Sequence, residues 1–185
     1  RRNLTLYILL ALALTALLVC PFVGMELILP STVLHPTANA TGFGIFWQIR
    51  VPRVCVGFLA GSALAVCGMA FQALFRNALA TPYTLGVSSG AAVGAALCLR
   101  LGLSFSVLGI SGATLFAFLG AIGAILLVYG LTRLRRGFTT ATMLLAGIAV
   151  SFFASSLIML IQYLGEFTQA FRIVRWLMGG VEVMG

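Results

Sequence analysis

Charges are so sparse along this chain that the uncharged intervals between them define its elements. Leu4 to Val23 runs 20 residues without a charge, Val54 to Phe75 runs 22, and Asn77 to Leu99 runs 23. Leu101 to Thr132 is longer than one crossing needs, and its Gly-containing start places a helix from near Val107 onward. Gly137 to Gly165 is the fifth interval. A hydrocarbon core of about 30 Å takes roughly 20 helical residues, so each interval can cross it. The expected helices are about 4–23, 50–75, 82–100, 107–132 and 139–164, with a short external helix at about 169–178. A signal peptide is the other reading of the first interval, which follows Arg1-Arg2. It is too long for a typical h-region and lacks a clear small-x-small cleavage site, so a retained transmembrane helix is expected. The fold class expected is all-α, a polytopic membrane helix bundle with five transmembrane helices.

Composition agrees: 62% of the 185 residues are hydrophobic and 8% are charged, where a soluble domain carries about 25%. The net charge of +8 resembles a nucleic-acid signal until the cations are located. All eleven basic residues are arginines, most of them at the ends of apolar intervals, which is how membrane proteins place cations. No basic face for nucleic acid remains. With the N-terminus inside, inner loops hold Arg1, Arg2, Arg76, Arg133, Arg135 and Arg136, and outer segments hold Arg50, Arg53, Arg100, Arg172 and Arg175. Six against five favours a cytoplasmic N-terminus, and the dense Arg133–Arg136 group argues for it best. The outer arginines then require their own explanation.

Catalytic readings fail on inventory. The chain has no Asp and no Lys; its one His is His35, and its Glu residues are Glu26, Glu166 and Glu182, all outside the expected spans. No buried carboxylate pair or proton relay can form, and a P-loop lacks its lysine. Cys20, Cys55, Cys67 and Cys98 show no CxxC spacing and read as soft packing residues, so no metal site is expected. The chain is expected to be no enzyme and to hold no cofactor. Small residues carry a different signal. Gly57-xxx-Gly61, Gly86-xxx-Gly90 and Gly90-xxx-Gly94 place glycines on one helix face, where they allow close backbone contact between helices. Pro82 suits the first turn of the third helix, and Pro52 reads as helping to set the start of the second.

The stretch from Trp47 to Leu97 makes the reading specific. It supplies Arg50, Pro52 and Arg53, then Gly61, Leu64 and Gly68, then Gln72, Arg76, Asn77, Leu79, Ala80 and Pro82, then Leu85, Gly86, Ser88, Gly90 and Ala91. With the later Leu144–Gly147 and Arg175–Gly180 segments, this order and spacing closely resembles the permease family of bacterial ABC importers for iron-siderophores, haem and cobalamin (FecCD-like). Ala78 departs from the family's usual proline, which suggests a less rigid loop before the third helix.

The resemblance implies that residues 1–185 are the N-terminal part of one permease domain, about half of a ten-helix subunit. It further implies a bacterial inner-membrane protein that pairs with a second permease subunit, identical or paralogous. Two cytoplasmic ATPase subunits, which hold the ATP and Mg, and an external substrate-binding protein would complete the assembly. Carried over to this chain, Arg50 and Arg53 would dock glutamates of the binding protein, and Asn77, Thr139 and Thr140 would lie at the cytoplasmic gate. Thr139 also reads as an ordinary helix N-cap. An iron complex is the expected cargo and cobalamin the alternative. A non-transporting structural helix bundle would share the small-residue packing but not the ordered motifs.

Overall fold

The computed structural model describes residues 2–24, 40–78, 80–107, 109–133 and 139–180. The helices are α1 (Arg2–Val19), α2 (Ala40–Gly44), α3 (Val51–Phe75), α4 (Val87–Arg100), α5 (Gly112–Arg133), α6 (Thr140–Tyr163) and α7 (Phe167–Met178). A hairpin of two short strands, β1 (Ser106–Val107) and β2 (Ile110–Ser111), precedes α5. The described residues divide into two compact units, one up to Leu64 and one from Ala65 to Gly180.

Among the described residues, four helical spans are long and apolar enough to cross a membrane: Asn3–Phe22, Gly42–Phe75, Gly112–Arg133 and Thr140–Tyr163. α4 is the short one, with 14 residues. It falls short because the expected helix at 82–100 is broken. Thr81 and Thr84 form a reciprocal capping box around a 3-10 turn at Pro82–Leu85, and Gly86, at φ 77°, separates that turn from α4. The turn and α4 together still rise about 29 Å, close to the thickness of a hydrocarbon core.

Two other starts differ from expectation. The helix expected from Val107 begins at Gly112, because Gly109 takes φ 79° and turns the chain back, pairing Val107 with Ile110. Ser111 Oγ then accepts from the Thr114 N–H, capping α5. The helix expected from residue 50 is already formed at Ala40, and a π-helical turn, Ile45–Arg50, joins α2 to α3. Pro52 therefore starts no helix. Its ring would clash with the carbonyl four residues back and its missing N–H would leave that carbonyl unbonded, and a wider turn relieves both.

In the second unit α4 is the central element. Ala92, Gly94, Ala95, Ala96 and Cys98 are buried, with α5 packed most extensively against α4 and α6 next. One apolar cluster gathers Phe75, Ala80, Leu85, Ala124, Val128 and Val150, and a second joins Ala96, Ile161 and Ile173.

Candidate docking and gating sites

In the first unit the two motif arginines are not equivalent. Arg50, the last residue of the π turn, is half-buried and donates from Nη1 to the carbonyl oxygens of Pro21 and Phe22, each at 3.3 Å. Those carbonyls belong to the 3-10 turn that ends the first span, where a helix runs out of its own donors and carries partial negative charge. Gly24 leaves room for the contact, since a Cβ there would stand 2.9 Å from Arg50 Cζ. Phe22 and Phe46 pack beside it with ring centroids 4.9 Å apart. Arg53, one turn on, is exposed on α3 and forms no hydrogen bond or ion pair among the described residues. Arg50 is anchored, while Arg53 is presented.

The segment around Asn77 begins with a Schellman ending of α3. The Asn77 N–H bonds the Gln72 carbonyl, the Arg76 N–H bonds the Ala73 carbonyl, and Arg76 takes φ 47°, a left-handed position usually held by glycine. Gln72 Nε2 donates to the Ala78 carbonyl at 3.1 Å, and the Ala80 N–H donates to the Asn77 carbonyl at 3.1 Å. The loop at Ala78 is thus pinned by side-chain and backbone bonds. Asn77 itself is half-buried. Thr139 and Thr140 are exposed at the start of α6, where Thr139 is the N-cap: its Oγ1 accepts from the Thr142 N–H at 3.2 Å, and Thr142 Oγ1 accepts from the Thr139 N–H. The 3-10 turn after Asn77 packs against α6 further along, at Gly147.

The glycines sort into two groups. A Cβ on Gly94 would strike the Phe116 carbonyl, and one on Gly90 would strike Gly120 and Ala124. Gly86 faces Gly147, Val150 and Ser151, and nearby Ser89 Oγ donates to Ser151 Oγ at 3.3 Å. Gly57 and Gly61 differ: no atom among the described residues lies within 4 Å of a Cβ built there. The close contact expected at these two is not made among the described residues, although their spacing matches that of the others. Gly120 and Gly147, absent from the expected set, supply the facing backbones. A wholly apolar cleft of about 320 Å³ opens beside them, lined by Gly90, Gly94, Phe116, Gly120, Phe153 and Leu157 among others. His35, Glu26 and Glu182 lie outside the described residues, as do Leu79, Arg135 and Arg136.

Comparison with known proteins supports one assignment. Residues 8–185 match the FecCD transport family. The chain is 40% identical over 143 residues to the "Uncharacterized ABC transporter permease protein YvrB" of Bacillus subtilis (strain 168), covering 76% of this chain and 40% of that one. It is 36% identical over 173 residues to the vitamin B12 import system permease protein BtuC of Escherichia coli O6:H1, covering 91% of this chain and 49% of that one. A solved structure described as "An inward-facing conformation of a putative metal-chelate type ABC transporter" superposes with a TM-score of 0.74 at 27% identity, covering 98% of this chain and 53% of that one. The chain spans about half the length of the curated relatives it matches. The match across nearly all of its length, together with the helix bundle, settles its membership: the chain belongs to the FecCD transport family.

Proposed function

We propose that this chain is part of the transmembrane permease subunit of an ABC importer in a bacterial cytoplasmic membrane, with its N-terminus on the cytoplasmic side. The observation that carries the reading is the family match over residues 8–185. In this reading two permease subunits enclose a pathway, two separate ATPase subunits bind and hydrolyse ATP, and an external protein delivers the cargo. The permease does no chemistry on the cargo. It re-tilts helices to expose the pathway alternately to each side, with Arg53 and Arg50 at the docking surface and Asn77, Thr139 and Thr140 at the inner gate. The close glycine contacts along α4 let helices shift as packed units rather than as loosely joined ones.

The cargo is a bulky metal chelate, with an iron complex (a ferric siderophore or haem) as the first reading. Pathway residues without Asp suit a chelate that passes without tight coordination. Cobalamin is the second reading, favoured by the 36% identity to a vitamin B12 import permease. The test is the full-length permease, co-purified with its ATPase and reconstituted in liposomes with its binding protein. ATP-dependent uptake of a ferric chelate supports the first reading. Uptake of cobalamin and of no ferric chelate replaces it with the second, and failure to associate with any ATPase removes both.

A further inference from the structure

Arg100, the last residue of α4, is half-buried and spreads its guanidinium across two other elements. Nη1 donates to Gln169 Oε1 at 2.7 Å, and Nη2 donates to the Leu164 carbonyl oxygen at 2.8 Å. Leu164 is the C-cap of α6, and Gln169 lies in the first turn of α7. One side chain therefore joins the end of α4, the end of α6 and the start of α7. Both bonds are short and charge-assisted, and the cation sits where the carbonyl end of α6 carries partial negative charge. The planar fork reaches both acceptors at once, one from each terminal nitrogen, a geometry that a single ammonium does not reproduce. One turn beyond Gln169, Ile173 is 2% exposed and packs against Ala96 of α4 and Ile161 of α6. α7 is thus held by an apolar seat and a polar clasp, while Phe167, Phe171 and Met178 remain exposed along it.

α6 makes the clasp consequential. Its 24 residues form a rod about 36 Å long, with the Thr139–Thr142 capping box at one end and Arg100 at the other. Both acceptors of Arg100 are neutral, so the clasp can open without stranding a buried carboxylate. We infer that Arg100 is a positioning residue that makes α7 move with the far end of α6, so that displacement at the Thr139–Thr140 end reaches α7. This role rests on the importer reading, in which those threonines lie at the inner gate and α7 lies on the side of the binding protein.

The test uses the full-length permease with its ATPase and binding protein in lipid nanodiscs. Arg100→Lys keeps the charge but loses the fork, and Gln169→Ala removes one acceptor if the first variant folds poorly. Amide hydrogen exchange across residues 167–178 should rise about tenfold or more in Arg100→Lys and less in Gln169→Ala, with residues 112–133 unchanged. Stimulation of ATP hydrolysis by the loaded binding protein should fall about fivefold or more while the basal rate holds. Unchanged exchange in α7 overturns the clasp. Faster exchange with wild-type stimulation overturns its transmitting role. If the wild-type protein shows no stimulation by any binding protein, the importer reading fails, and the exchange result still judges the clasp by itself.

Discussion

Gly90 on α4 and Gly120 on α5 meet backbone to backbone: a Cβ on Gly90 would stand 2.5 Å from the Gly120 carbonyl oxygen and 2.5 Å from Ala124 Cβ. The neighbours are backbone and a short side chain, so neither can swing aside. Gly90→Ala and Gly120→Ala should each destabilise the protein by about 1–3 kcal/mol through overpacking. Gly123, on the same helix as Gly120, has nothing outside its own helix within 4 Å of an added Cβ among the described residues. Gly123→Ala should be neutral or stabilising by up to about 1 kcal/mol, because alanine is the better helix former. Unfolding in detergent, followed by circular dichroism, checks the contrast; equal effects at Gly90 and Gly123 would contradict the close approach.

A second crossing separates steric from polar contributions. A Cβ on Gly147 would run into the Thr84 carbonyl and Leu85, the residues of the 3-10 turn ahead of α4. Beside it, Ser89 and Ser151 share a hydrogen bond between helices. Gly147→Ala should cost about 1–3 kcal/mol, whereas Ser151→Ala should cost only about 0.6 kcal/mol, a usual value for such bonds inside membranes. The same unfolding assay reads both, and a reversed order would mean that the hydroxyl pair, not the backbone contact, sets this crossing.

What the sequence disclosed and withheld follows from the kind of information involved. Uncharged intervals locate spans because lipid excludes charge, and on that ground α1, α5 and α6 were legible. Hydropathy carries nothing about backbone conformation, so the break at Gly86 passed unseen inside a 23-residue uncharged run. Pro82 and Gly86, four residues apart, were the available signal. Pro52 read as a helix start because proline suits a first turn; that a π turn would carry the helix through it depends on the apolar residues before it. Gly57-xxx-Gly61 and Gly86-xxx-Gly90 look alike as strings, and only tertiary neighbours distinguish them. The Arg100–Gln169 clasp spans 69 positions, beyond any local pattern.

Thr139 tests capping against gating. Its hydroxyl accepts from the Thr142 N–H, so Thr139→Ala should destabilise by about 1 kcal/mol and Thr139→Asp, which keeps an acceptor, should cost less. Thr140 is exposed next to it and takes no part in the capping box. If the pair forms the inner gate, Thr140→Trp should raise substrate leak or basal ATP hydrolysis in the reconstituted transporter without lowering stability. Wild-type leak and basal rate in Thr140→Trp would leave Thr139 a cap and nothing more.

Arg50 and Arg53 should part company when each is reversed in charge. Arg53 is exposed and free of intrachain bonds among the described residues, so Arg53→Glu should leave unfolding unchanged. Its effect should fall on the binding protein: association weakened by about tenfold or more, increasingly so at low salt, because complementary charges act mainly on encounter and orientation. Arg50 has a second duty, donating to the Pro21 and Phe22 carbonyls beside Gly24. Arg50→Glu should therefore lower stability as well as docking, since a carboxylate facing those carbonyls replaces attraction with repulsion. Arg50→Lys should restore most of the docking and only part of the stability, because a single ammonium does not reproduce the fork. A Glu→Arg change on the binding protein should rescue Arg53→Glu and fail to rescue the stability lost in Arg50→Glu. Surface plasmon resonance at two salt concentrations, paired with thermal unfolding of each variant, measures both quantities. Docking that survives Arg53→Glu at both salts would remove this arginine from the interface and leave it a cation held at the membrane surface.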